Sequence, residues 1–157
     1  MAVEVRNFTR RVAPRLPFEA AARAVLPGWE VSLAFMGSRR AQALNARLRG
    51  KSYVPNVLSY RTGAKSGEII ICLEEARKQA SRYLMSEAVF ILYLFIHGTV
   101  HLKGGVHGAT MERSERKILA RFAKGLPRAL PHEPQNRNRN RHRHLPGEDG
   151  RRRRARG

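Results

Sequence analysis

The sequence predicts one α+β domain, residues 1–130, followed by a disordered Arg-rich tail, residues 131–157. Three observations predict it. Four short windows alternate apolar and polar residues or run apolar at strand length, and five longer windows carry helical spacing. From Pro131 onward Asn, Arg, His and Pro dominate and large apolar residues nearly vanish, so this stretch cannot bury enough surface to offset ordering entropy. A length of 157 residues suits one core rather than two.

Taken in order, Ala2–Asn7 (AVEVRN) alternates as a half-buried strand does. Pro17–Leu26 is a short helix stopped by Pro27-Gly28. Glu30–Met36 alternates again, with Val31, Leu33 and Phe35 on one face. Ser38 is read as the N-cap of a helix from Arg39 to about Arg49, with Gly50 as its stop. Val57–Arg61 and Glu68–Leu73 are strands joined by turn residues 62–67. Helices follow over Glu74–Tyr83, Ser86–Leu102 and Met111–Lys124, the last with Ile118, Leu119 and Phe122 as its apolar side.

Charge narrows the partner. The formal net charge is +19, of which the nine Arg, Glu148 and Asp149 of residues 135–157 supply +7, leaving +12 on residues 1–134. A body basic in its own right points to a polyanion such as nucleic acid. Eleven of the twelve acids are Glu and the lone Asp is Asp149, so a Mg²⁺ site built on clustered carboxylates is a poor reading. The single Cys72 excludes an intramolecular disulfide and a Cys-cluster zinc site, and it fits a reducing cytoplasm. Residues 1–16 lack a secretory apolar segment, and the apolar run Ala88–Ile96 is too short to span a bilayer, so no membrane partner is expected.

Three of the six His fall in one stretch, His97-Gly-Thr-Val-His101-Leu-Lys-Gly104-Gly-Val-His107. His97 and His101 share a helix face, and Gly104 lets the chain turn back so that His107 approaches the same point. Three imidazoles with one position left open form the ligand set of a reactive zinc site, one ion per chain; nickel, copper or iron also suit imidazole. A metalloprotease would carry Glu as general base directly after the first His; here that residue is Gly98. His132, His142 and His144 belong to the tail.

His97 to His107, HGTVHLKGGVH, resembles the HGxLHLxGYDH signature of the YbeY family of rRNA-maturation endoribonucleases. Other segments follow in the family's order: Leu44–Lys51 resembles the LNxxYRGKD stretch, Pro55–Tyr60 resembles TDVLSF, and Gly67–Cys72 resembles GDIxIC. The resemblance covers roughly residues 2–125 and implies a small mixed four-stranded sheet packed with about five helices. It implies a cytoplasmic, zinc-dependent endoribonuclease specific for single-stranded RNA, acting in 16S rRNA 3′-end maturation and ribosome quality control on the small subunit. It implies His97, His101 and His107 as metal ligands and Arg49 as the catalytic cation on the scissile phosphate. Arg39, Arg40, Arg47 and Lys51 would follow the RNA backbone, Tyr53 and Tyr60 are candidate base-stacking residues, and the tail would add salt-dependent affinity.

Departures stand at Val106 for the family's Asp, Gly105 for its Tyr, Gly108-Ala-Thr for the acids after the third His, and Asn56 in the TDV position. The changes at Val106, at Gly108-Ala-Thr and at Asn56 remove expected negative charge from around the ligands, and no acid in the body stands out as a general base. The nucleophile is left open between water and the RNA 2′-hydroxyl. Two other readings compete: a non-catalytic RNA-binding assembly factor with structural zinc, and, against Gly98, a metalloprotease.

Overall fold

The computed structural model describes residues 3–127. The tail, with His132, His142 and His144, lies outside the described residues. Ten elements run in order: β1 (Val3–Asn7), α1 (Phe18–Val25), β2 (Glu30–Met36), α2 (Ser38–Arg49), β3 (Val57–Gly63), β4 (Ser66–Cys72), α3 (Leu73–Ala80), a 3₁₀ turn (Ser81–Tyr83), α4 (Glu87–Lys103) and α5 (Ala109–Phe122). The sheet is mixed, in the order β1-β2-β4-β3. β1 pairs with β2 and β2 with β4 in parallel, in the registers Val5↔Leu33 and Leu33↔Ile69; β3 and β4 form an antiparallel hairpin.

The central strands are buried on both faces, as strands with covered faces are. Val31, Leu33, Phe35, Ile69 and Ile71 face the larger cluster, shared with α1, α3, α4 and α5. Ala34, Met36, Leu58 and Ile70 face a smaller one, closed by Leu44 of α2 and by Tyr60. The one-sided face expected of β2 is thus real, but its other face is also covered.

α4 is the central helix, with ten buried residues, and its approach to the sheet is close. A Cβ at Gly98 would lie 3.1 Å from Ile69 Cγ2, and one at Gly67 would lie 2.6 Å from Leu102 Cδ1. Its first turn is capped by Ser86 Oγ, which accepts the Val89 N–H. Its last turn is held by Arg61, whose Nε donates to the Leu102 carbonyl while the guanidinium stacks on Trp29. Among the described residues no single helix is long and apolar enough to cross a membrane.

Three sequence expectations change. Ser38 is the first residue of α2 rather than its cap; Gly37 precedes the helix, and the Ser38 hydroxyl donates instead to Glu74. The turn expected over 62–67 shrinks to Ala64-Lys65, because Gly63 and Ser66 still pair across the hairpin. The helix expected to run to Tyr83 ends at Ala80 and gives way to the 3₁₀ turn before Leu84, whose φ is 55°.

Candidate metal centre and its basic rim

α4 places His97 and His101 one turn apart, their Nε2 atoms 3.1 Å from each other. The helix then stops at Gly104, which takes a φ of 108°, a conformation open to glycine, while its N–H and that of Gly105 close onto the His101 and Val100 carbonyls. The reversed chain carries His107 back, with its ring centroid 4.5 Å from that of His101 and 5.3 Å from that of His97. One ligand nitrogen from each of the three lies within 4.8 Å of the others, a set a metal ion fits. Exposure is graded: His97 and His101 are half-buried and His107 is exposed, so the cluster opens to solvent on the His107 side.

Behind the cluster stands a residue that sequence reasoning missed. Glu115 of α5 is 1% exposed, and its Oε1 lies 2.5 Å from His97 Nδ1. Nδ1 of His97 therefore faces the carboxylate, and Nε2 is the ring nitrogen turned toward the cluster. Tyr93 meets the same carboxylate: burial, then the Glu115 charge, pushes its hydroxyl up to about 12, which keeps it a donor. His101 is held below the ordinary imidazole value, first by burial and then by the charges of His97, His107 and Arg49. A depressed value favours the neutral imidazole that binds metal.

The Arg49 charge that bears on His101 comes from the last turn of α2. Arg49 is exposed in the last turn of α2, with Arg47 and Lys51 exposed on either side. Arg39 and Arg40 are exposed at the other end of the helix, roughly 15 Å away along its axis. Arg40 stacks over Phe8, 4.6 Å from the ring centroid. Arg47, Arg49 and Lys51 therefore stand at the C-terminal end of α2, and Arg39 and Arg40 at its N-terminal end. Tyr60 is packed in the small core with its hydroxyl donating to Glu68, whereas the Tyr53 ring is exposed. Gly98 points into β4, so a side chain there meets Ile69.

A family model described as Endoribonuclease YbeY matches residues 2–123. The chain belongs to the YbeY family. It is 36% identical to the Endoribonuclease YbeY of Geobacillus kaustophilus over 129 residues, covering 69% of this chain and 83% of the relative. It is 32% identical to that of Bdellovibrio bacteriovorus over 95 residues, covering 59% of this chain and 61% of the relative's length. The solution structure of a Thermotoga maritima protein shares the fold, with a TM-score of 0.57 at 16% identity over 78% of this chain and 89% of that one.

The departures from the YbeY pattern now have structural places. Val106 is 82% exposed and points away from the core. Asn56 is engaged elsewhere: its Nδ2 donates to Gln79 Oε1 at 2.8 Å and its carbonyl accepts the Cys72 N–H. A Cβ at Gly105 would lie 2.9 Å from the Val100 carbonyl oxygen, so this tight turn accepts no tyrosine without shifting. The expected loss of negative charge around the ligands is corrected by Glu115, which supplies a carboxylate from α5. A signal for it was present, since Glu115 lies four residues after Met111 and four before Leu119, on the apolar stripe of the helix where an unpaired acid would be costly.

Proposed function

We propose that this protein is a zinc-dependent endoribonuclease that cuts single-stranded RNA in the cytoplasm, acting in 16S rRNA 3′-end maturation and ribosome quality control on the small subunit. The observation that carries the reading is a three-imidazole cluster open to solvent on one side. His97, His101 and His107 suit one zinc ion: three neutral imidazoles, one of them oriented by a carboxylate, with room for a fourth ligand. Zinc held there supplies Lewis acidity toward a phosphoryl oxygen and acidifies water.

The chain's own residues do the rest. Glu115 holds the proton on His97 Nδ1 and so fixes the ring's orientation. Arg49 offers a planar fork to the two free oxygens of the scissile phosphate and neutralises charge developing there. Arg47 and Lys51 continue the positive rim along the RNA backbone. The accessible His107 side admits a phosphodiester from an unpaired strand. A structural zinc would be closed by four protein ligands, and a triad open on one side argues for chemistry over a purely structural role.

The test is cleavage of single-stranded rRNA fragments by rigorously purified wild type and His101→Ala, with folding checked by circular dichroism. Cleavage by wild type that is lost in the variant supports the reading; equal cleavage by both points to a contaminating nuclease and ends the metal role. Absent cleavage with retained ribosome binding favours the assembly factor. A 2′,3′-cyclic phosphate end identifies the 2′-hydroxyl as nucleophile.

A further inference from the structure

From Val31 to Gly67 the chain has no acidic residue and seven cations, and the loop after α2 lies within that stretch. This loop is held tightly. Gly50 ends α2 in the left-handed region with φ 65°, and the Lys51 N–H returns to the Asn45 carbonyl. Two amide side chains of α2 then grip consecutive carbonyls: Gln42 Nε2 donates to Ser52 at 2.7 Å and Asn45 Nδ2 to Tyr53 at 2.9 Å. Asn45 is completely buried, and its Oδ1 has no partner among the described residues. A buried acceptor left without a donor is costly, so fixing the Tyr53 carbonyl is bought at the expense of local stability.

Yet the ring so carefully placed is not packed away. Tyr53 is 51% exposed, while Tyr60, a few residues on, is packed and hydrogen-bonded to Glu68. A fixed loop that exposes an aromatic ring two residues after Lys51 and four after Arg49 brings a stacking surface and backbone-neutralising charge into one short segment, the pairing that single-stranded nucleic acid requires. A base paired in a duplex has its faces covered by neighbours and cannot use such a ring.

Resting on the nuclease reading above, we propose that Tyr53 is a nucleobase-stacking subsite that takes one unpaired base next to the phosphate held by Arg49. The subsite reads the π-face and not the base edge, so it is tolerant of sequence and selective for unpaired strands.

The test is binding of a labelled single-stranded RNA oligonucleotide to the full chain, followed by fluorescence anisotropy before cleavage accumulates. Tyr53→Ala is expected to weaken binding about tenfold and Tyr53→Phe to stay within about twofold of wild type. An abasic scan of the oligonucleotide adds a readout that a merely structural role would not move. One abasic position should weaken wild type as much as Tyr53→Ala does, and should cost the variant nothing more. Binding by Tyr53→Ala equal to wild type, with Arg47→Gln still weakening it, overturns the subsite and leaves RNA binding intact. Abasic losses of the same size in wild type and Tyr53→Ala overturn it likewise. Failure of wild type to bind single-stranded RNA removes the nuclease reading and the subsite together.

Discussion

The two halves of the candidate site are built by opposite means. The α4–α5 half is made by burial: His97 and Glu115 face each other from packed helices, and Glu115 is sealed from solvent. The α2–β3 half is made by exposure: Arg47, Arg49 and Lys51 stand in solvent, and among the described residues none of them forms an ion pair with a carboxylate. Burial produces a few strong, geometry-bound interactions, whereas exposure produces several weak ones that act by their sum. Substitutions in the first half should therefore cost much each, and those in the second little each and in a salt-dependent way.

The largest effect is expected at the ligands. His101→Ala or His107→Ala should lower metal content and activity by more than the roughly 100-fold upper end seen for outer-shell partners. Metal analysis of protein purified without a His-tag checks it, and full metal occupancy in both variants would break the comparison at its strongest point. Next comes Glu115→Gln, which keeps the shape but removes the charge that holds the His97 proton. Metal affinity should fall about 10- to 100-fold, read by competition with a chelating indicator. An unchanged affinity would mean that the ring is oriented by packing against Tyr93 alone.

What was legible in the sequence follows the same division. The i, i+4 spacing of His97 and His101 and the Gly104 stop state their geometry directly, because helix periodicity and left-handed glycine are local rules. The ends of β2 are local as well, because the strand alternation stops at Gly37. Glu115 is not legible by local rules because its partner is eighteen residues away on another helix, a tertiary fact visible only as an acid out of place on an apolar stripe. Ser38 misled because its hydroxyl had a long-range alternative, Glu74, which local capping rules do not weigh. The second buried face of β2 was hidden because Ala34 is small and Ser32 polar, so alternation looked one-sided.

On the exposed half, Arg47→Gln combined with Lys51→Gln should weaken binding of single-stranded RNA only several-fold near physiological salt. The diagnostic is the salt dependence: removing two phosphate-facing charges should flatten the slope of log affinity against log salt by about 1.4. An unchanged slope would show that these cations are ordinary solvated charges and that the rim is confined to Arg49.

The smallest effect would show whether the halves communicate. In the metal-free protein His101 titrates below the ordinary imidazole value, with burial the first cause and the positive charge of Arg49 among the others. The unfolded chain then takes up a proton before the folded one does. Stability attributable to His101 is present above about pH 6.5 and is lost as pH falls from there through the lower folded value. Arg49→Gln removes one cation that opposes protonation, so the His101 titration, followed by NMR of the imidazole Cε1–H, should move upward toward the ordinary value. Because Arg49 is exposed, that displacement should shrink as ionic strength rises, while the larger depression caused by burial stays. A titration that ignores the Arg49 substitution at low salt would separate the two halves electrostatically, leaving the phosphate itself as the only link between the guanidinium and the triad.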